Sequence, residues 1–128
     1  MKNFNLHFET QSDFGYLPFL TRIFKSLNVP HPQALTQILI EAYTNAVIHA
    51  HRRKKEKWIG LSFFISPKKI LIRVVDQGPG IKNKLLRKKF SRWQTHGRGL
   101  MLIRANADKV TNKKRGRLHI FEAVRFYA

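Results

Sequence analysis

Three polar side chains recur at every fourth position of an otherwise apolar segment: Glu41, Asn45 and His49. Each step of four residues advances a helix by about 40°, so all three lie within an arc of roughly 80°. A carboxylate on that arc can orient or deprotonate a nucleophile, and an amide oxygen suits a hard cation such as Mg²⁺. The pattern is compatible with half of a phosphoryl-transfer site. It is equally compatible with ordinary polar residues on a partly exposed helix edge.

A second candidate follows an apolar strand and reads Asp76-Gln77-Gly78-Pro79-Gly80. Glycines let the backbone turn sharply and approach a ligand closely. A carboxylate at the strand end can accept a hydrogen bond from an exocyclic amine, and the glycines leave room for a planar base, which adenine fits. A plain turn is the alternative, because Asp, Gly and Pro are common turn residues.

The third candidate is Gly97-Arg98-Gly99, which precedes the apolar segment that starts at Leu100. The start of a helix presents free amide groups and a favourable dipole to anions, and glycine keeps side chains out of the way. Arg98 adds a positive charge. A glycine turn before a core helix is the alternative.

The elements that position these residues follow from hydrophobic patterning. The sequence predicts a strand over 3–8, a helix to about Asn28, a central helix over 32–50, and strands over 58–65 and 69–76 joined by a tight hairpin. A basic stretch over 82–96 predicts a lid-like loop. A helix from Gly99 to about Ala107 and two closing strands complete one domain over 1–128. The order predicts an α+β fold, a two-layer α/β sandwich with helices on one face of a mixed, mostly antiparallel sheet.

Composition narrows the classes of function. The 25 Lys and Arg against 7 Asp and Glu give a formal net charge of +18, which attracts polyanions without identifying them. The absence of Cys excludes disulfides and thiolate metal sites. Nowhere are there 18 consecutive apolar residues, so we expect a soluble, cytoplasmic protein without a membrane segment.

In combination the three candidates resemble the nucleotide-binding motifs of the GHKL ATPases. Residues 41–50 are similar to the N box, Asp76 to Ile81 to the G1 box, and Gly97 to Leu100 to the G2 box. Within that superfamily, the chain resembles the anti-sigma-factor serine/threonine kinases of bacterial partner-switching systems in its small size and in the sequence of its N box. The resemblance implies a Bergerat-type fold that binds ATP and Mg²⁺.

The resemblance also implies roles. Glu41 would be the general base, Asn45 the Mg²⁺ ligand, and Asp76 the acceptor of the adenine amine. Gly78 and Gly80 would make room for the base, and His49 would support the site. The residues expected near the phosphates are Gly97, Arg98, Gly99 and Leu100.

Two features depart from the family pattern. The stretch between the G1 and G2 boxes is more basic than a typical lid, with six Lys and Arg at Lys82, Lys84, Arg87, Lys88, Lys89 and Arg92. The Gly-Thr pair that relatives often place before the final strand is not evident, because Gly116 is followed by Arg117 and Leu118. We therefore expect altered adenine affinity.

The resemblance implies a protein kinase that phosphorylates a seryl or threonyl hydroxyl of an antagonist (anti-anti-sigma) protein and regulates transcription through a sigma factor. A catalytically silent ATP-binding regulatory module is the first alternative. A basic nucleic-acid-binding protein is the second, motivated only by the charge, and no usual RNA- or DNA-binding motif supports it. The sequence leaves a homodimer open.

Overall fold

The computed structural model describes residues 3–78 and 98–127. These residues form one antiparallel sheet with helices packed on one face. The strands are β1 (Phe4–Gln11), β2 (Trp58–Ile65), β3 (Lys69–Asp76), β4 (Lys109–Arg115) and β5 (Leu118–Phe126). Their spatial order is β1-β2-β3-β5-β4, and each pair of neighbours is antiparallel. The α+β sandwich expected from the sequence is confirmed, with every described strand pairing antiparallel.

The face of the sheet toward the helices is set by the alternation of side chains along each strand. In β3, Ile70, Ile72 and Val74 are buried, and Asp76 follows them at the same parity. In β5, Phe121 and Ala123 are buried on the same side as His119. Since side chains two residues apart share a face, Asp76 and His119 lie on the helix-facing side of the sheet.

The helices are α1 (Leu17–Leu20), α2 (Ile23–Ser26), α3 (Pro32–Thr44) and α4 (Arg98–Asn106). A 3₁₀ turn over Phe14–Tyr16 precedes α1. The single long helix expected up to about Asn28 is therefore wrong. Pro18 stands in the first turn of α1, and a turn at Thr21 and Arg22 separates α1 from α2.

The central helix α3 begins with Pro32 at its first position, where the missing amide hydrogen is not needed. Its buried residues follow the helical repeat through the whole element: Leu35, Ile38, Leu39, Ala42 and Tyr43, followed by Ala46 and Val47 in the next turn. This continuous apolar face holds α3 on the sheet. The neighbouring face, which carries Gln37, Glu41 and Asn45, is half-buried and lies on the side of α4.

The helix does not end at Thr44 but continues as a π-helical segment over Asn45–Ala50. The amide of His51 donates to the carbonyl of Ala46 at 2.9 Å, five residues back. π-Helical segments are rare and frequently occur at functional sites. The strand boundaries expected at 58–65 and 69–76 are confirmed, as is their tight hairpin, in which Ser66 Oγ accepts from the amide of Lys69.

Tyr43 fastens α3 to the end of β1. Its fully buried hydroxyl lies 2.9 Å from Thr10 Oγ1 and within 3.0 Å of the carbonyl oxygens of Gln11 and Asp13. Burial raises the pKa of the Tyr43 phenol, so the hydroxyl stays protonated and available as a donor at neutral pH.

We expect Tyr43→Phe to lower the free energy of unfolding by about 1–3 kcal/mol, because the change leaves buried polar partners unsatisfied. Urea unfolding followed by circular dichroism measures the loss. Tyr16→Phe is the matched control, since Tyr16 is 38% exposed. Equal stabilities of the two variants would contradict the anchoring role of Tyr43.

Candidate functional site

Glu41 is held in place by a residue one helical turn earlier. Gln37 Nε2 donates to Glu41 Oε1 at 3.0 Å, and both side chains are half-buried. Gln37 extends the four-residue spacing of the polar stripe backward by one step, so the same periodicity that singled out Glu41 could have found it. The hydrogen bond fixes one carboxylate oxygen and leaves the other facing α4.

The first turn of α4 lies directly on this part of α3. A Cβ atom built on Gly99 would lie 2.8 Å from Glu41 Oε2 and 3.6 Å from Asn45 Oδ1. A side chain at position 99 would therefore have to displace the Glu41 carboxylate. The structure thus brings the first turn of α4 next to the Glu41 carboxylate and the Asn45 amide, although Gly99 is far from both in sequence.

His49 is placed differently from the other two members of the stripe. The expectation of one common arc assumed α-helical spacing throughout, and that spacing holds from Glu41 to Asn45. His49 lies within the π-helical segment instead, and its side chain is exposed. A supporting role for His49 stays a prediction.

Several other predicted site residues are outside the described part of the chain. These are Gly80, Ile81 and Gly97, together with the basic stretch 82–96. Arg98 begins α4. Leu100, expected near the phosphates, is 7% exposed and packs in the hydrophobic core.

Asp76 is buried at the end of β3 with both carboxylate oxygens engaged. Oδ1 accepts from the amide of Gly78 at 2.8 Å, and Oδ2 lies 3.0 Å from His119 Nδ1. Each carboxylate oxygen can accept more than one hydrogen bond, so these two partners leave acceptor capacity at both atoms. Asp76 is positioned by its own turn on one side and by β5 on the other.

His119 is a site residue that the sequence analysis missed. It stands directly opposite Asp76 in the register of β3 and β5, where its Nδ1 faces the carboxylate and its Nε2 lies 3.0 Å from Asn112 Oδ1 on β4. The Gly-Thr pair expected before this strand is not evident at Gly116 and Arg117. The structure places the imidazole of His119 against the Asp76 carboxylate. Finding His119 from the sequence required the strand register, which no local pattern in this segment specifies.

Gly78 is required by packing as well as by the turn. A Cβ atom there would lie 2.4 Å from Ala50 Cβ and 2.6 Å from Ala50 Cα, closer than real Cβ atoms approach. The end of β3 therefore touches the end of the π-helical segment. Gly78 and Asp76 lie at this contact. Glu41 and Asn45, with Gly99 of α4 beside them, precede the end of the π-helical segment by one to two turns or more.

His51 closes this end of the site. It is 1% exposed, and its Nε2 accepts a hydrogen bond from the amide of Gln77 at 2.8 Å. Burial lowers the pKa of His51, and the positive charge of Lys57 lowers it further, while Asp76 acts in the opposite sense. The neutral imidazole with its proton on Nδ1 satisfies both observations.

A metal held wholly by protein is not built into the described residues. Within residues 3–78 and 98–127 no group of three His, Cys, Asp or Glu side chains could hold a metal ion. The donor set next to Gly99 is one carboxylate and one amide oxygen, which suits Mg²⁺, an ion that keeps several waters and shares its remaining positions with phosphates.

Comparisons with known proteins bear on the family and the fold of the chain. A family described as "Histidine kinase-like ATPase domain" matches residues 20–120. The fold is similar to the catalytic domain of histidine kinase ThkA in a nucleotide-free form, with a TM-score of 0.62 and 17% identity over 99% of this chain and 97% of that chain. It is also similar to Acinetobacter baumannii histidine kinase AdeS, with a TM-score of 0.56 and 19% identity over 95% of this chain and 68% of that chain. Among curated protein sequences none matches.

We expect His119→Ala to lower the free energy of unfolding by about 2 kcal/mol or more, because it leaves a buried carboxylate oxygen without its donor. Chemical denaturation measures the effect. The control is a double-mutant cycle with Asp76→Asn, in which the second change removes the charge that was left behind. The double variant should lose less stability than the sum of the two single variants, and strict additivity would contradict the coupling.

Proposed function

The chain belongs to the histidine kinase-like ATPase domain family, and we propose that it binds Mg·ATP in the cleft between α3, the end of β3 and the first turn of α4. The observation that carries the proposal is the approach of Gly99 to Glu41 Oε2 and Asn45 Oδ1. Position 99 in the first turn of α4 carries no side chain and lies next to a carboxylate and an amide oxygen, which is suited to a metal-bound polyphosphate.

The adenine base of the nucleotide is held at the other end of the cleft. Asp76 accepts a hydrogen bond from the exocyclic amine of adenine with the acceptor capacity left by Gly78 and His119. His119 keeps Oδ2 oriented, so the carboxylate does not rotate away when no nucleotide is present. Gly78, with Gly80 and Ile81 beyond the described residues, borders the base.

The phosphates lie at the first turn of α4. Gly97, Arg98 and Gly99 line them, Leu100 seats this turn in the core, and Asn45 supplies an oxygen ligand to Mg²⁺. When bound, Mg²⁺ neutralises the charge that develops on the transferred phosphoryl group. His49 supports the exposed rim of the cleft.

We further propose that the protein is a serine/threonine kinase of the anti-sigma type. Glu41 accepts the proton of a seryl or threonyl hydroxyl on an antagonist protein as that oxygen attacks the γ-phosphorus and the bond to the β-phosphate oxygen breaks. The hydrogen bond from Gln37 leaves Oε2 as the oxygen turned toward the reaction. A sigma factor is the second protein partner, and it binds on a separate surface.

No helix in the described part of the chain is long and apolar enough to cross a bilayer.

Nucleotide binding is tested by Asn45→Ala. Removing the amide oxygen should weaken Mg·ATP binding by roughly 10- to 100-fold in a calorimetric titration, because one ligand to a charged centre contributes about 1.5–3 kcal/mol. Gln33→Ala is the control, since Gln33 is an exposed amide on the same helix. Unchanged affinity in Asn45→Ala would refute the assignment of the site.

Phosphoryl transfer is tested with radiolabelled ATP and a candidate seryl acceptor. Glu41→Gln keeps the shape of the side chain and removes the base, so label on the acceptor should fall by about 10²- to 10⁴-fold while ATP affinity is retained. If the native protein binds ATP but labels no acceptor, the domain is a silent regulatory module. Full labelling by Glu41→Gln would exclude Glu41 as the base.

A further inference from the structure

A cavity lies next to the proposed adenine-binding end of the nucleotide cleft, and the contacting residues Ala50 and Gly78 both line it. Its volume is about 430 Å³, within the range of small-molecule sites. One wall is the turn that follows the π-helical segment, and the other is the hairpin between β4 and β5.

The charge of this lining is of one sign. Arg52, Lys54 and Lys57 stand on the first wall, and Lys114 and Arg117 stand on the second. The described residues that line the cavity include no Asp or Glu, and Glu56 in the same turn is not among them. Positive charges from two separate segments thus converge on one concave space, which concentrates the field there.

His51 lines the same wall of the cavity. Since its Nε2 accepts from the amide of Gln77, its proton is on Nδ1. That Nδ1 is buried and has no hydrogen-bond partner among the described residues. A buried donor without an acceptor is unfavourable, and an anionic oxygen in the cavity would satisfy it.

The triphosphate of a nucleotide in the main cleft does not account for this charge. The expected phosphate end lies at Asn45 and Gly99, and Asn45 precedes His51 by six residues, with the π-helical segment between them. Asp76, the nearby carboxylate, is engaged by Gly78 and His119. The cations of the cavity are therefore available to a different anion.

We propose that this cavity is a second anion site that binds a phosphate group. A phosphate carries up to two negative charges and three acceptor oxygens on one compact centre, whereas a carboxylate carries one charge. Five cations and one imidazole N–H around a single cavity match the first ligand and exceed the needs of the second. The group comes either from a small phosphorylated molecule or from the backbone of a nucleic acid.

The test uses the full chain and inorganic pyrophosphate in magnesium-free buffer, with calorimetry and long-range ¹H–¹⁵N spectra of the His51 ring as readouts. Lys54→Gln with Arg117→Gln should weaken binding at least tenfold, because each removes one charged contact. The control, Arg22→Gln with Lys68→Gln, removes the same charge at exposed positions outside the cavity. Pyrophosphate should also shift the Nδ1 resonance of His51.

Three outcomes would overturn the proposal. The first is equal weakening in the control variant, which would mean general attraction by the net charge. The second is loss of pyrophosphate binding in Asn45→Ala, which would place the anion in the nucleotide cleft. The third is equally cavity-dependent binding of poly-glutamate. Failure of Mg·ATP binding alone leaves this proposal intact, so the two sites fail separately.

A labelled oligothymidylate in the same variants distinguishes the sources of phosphate. Pyrophosphate binding that depends on Lys54 and Arg117, without oligonucleotide binding, supports a small phosphorylated ligand. Dependence of both probes on these residues supports a nucleic-acid backbone, whose affinity should also fall steeply as salt rises. Binding of neither probe would refute the site.

Discussion

The buried carboxylate of Asp76 is the group on which the arrangement of the cleft depends. An ionised carboxylate removed from water is stable only with hydrogen-bond donors around it. Here the donors come from its own turn, through Gly78, and from β5, through His119, which in turn contacts Asn112 on β4. Three strands and the turn after β3 are therefore tied to one side chain. Loss of the contact between Asp76 and His119 would disturb both the edge of the sheet and the proposed adenine-binding end of the cleft.

The central helix serves the core and the site with adjacent faces. One face buries Ile38, Ala42 and Val47 against the sheet, and the neighbouring face presents Glu41 and Asn45 to the first turn of α4. Because close packing leaves the apolar face a single position, the polar face is fixed with it. The hydrophobic core thus fixes the helix that carries Glu41, and the hydrogen bond from Gln37 orients the carboxylate.

Much of this was predictable from local sequence patterns, and the exceptions have physical reasons. Strands β2 and β3 follow from hydrophobic patterning. The shared helix face of Glu41 and Asn45 follows from their four-residue spacing. The breaks within 14–26 depend on how Pro18 and Thr21 turn the chain, and the π-helical segment adds a residue that an α-helical count cannot show. His119 and the cationic cavity depend on strand register and on segments far apart in sequence, so no single stretch could reveal them.

The two edges of the sheet differ in what they offer to a second copy of the chain. The outer strand β4 carries Lys109, Lys113, Lys114 and Arg115 within seven residues, so two such edges brought together would repel each other. The opposite edge, β1, contains Glu9 and neither Lys nor Arg. Sheet extension between copies is therefore opposed by like charges at β4, and this electrostatic barrier is absent from the β1 edge.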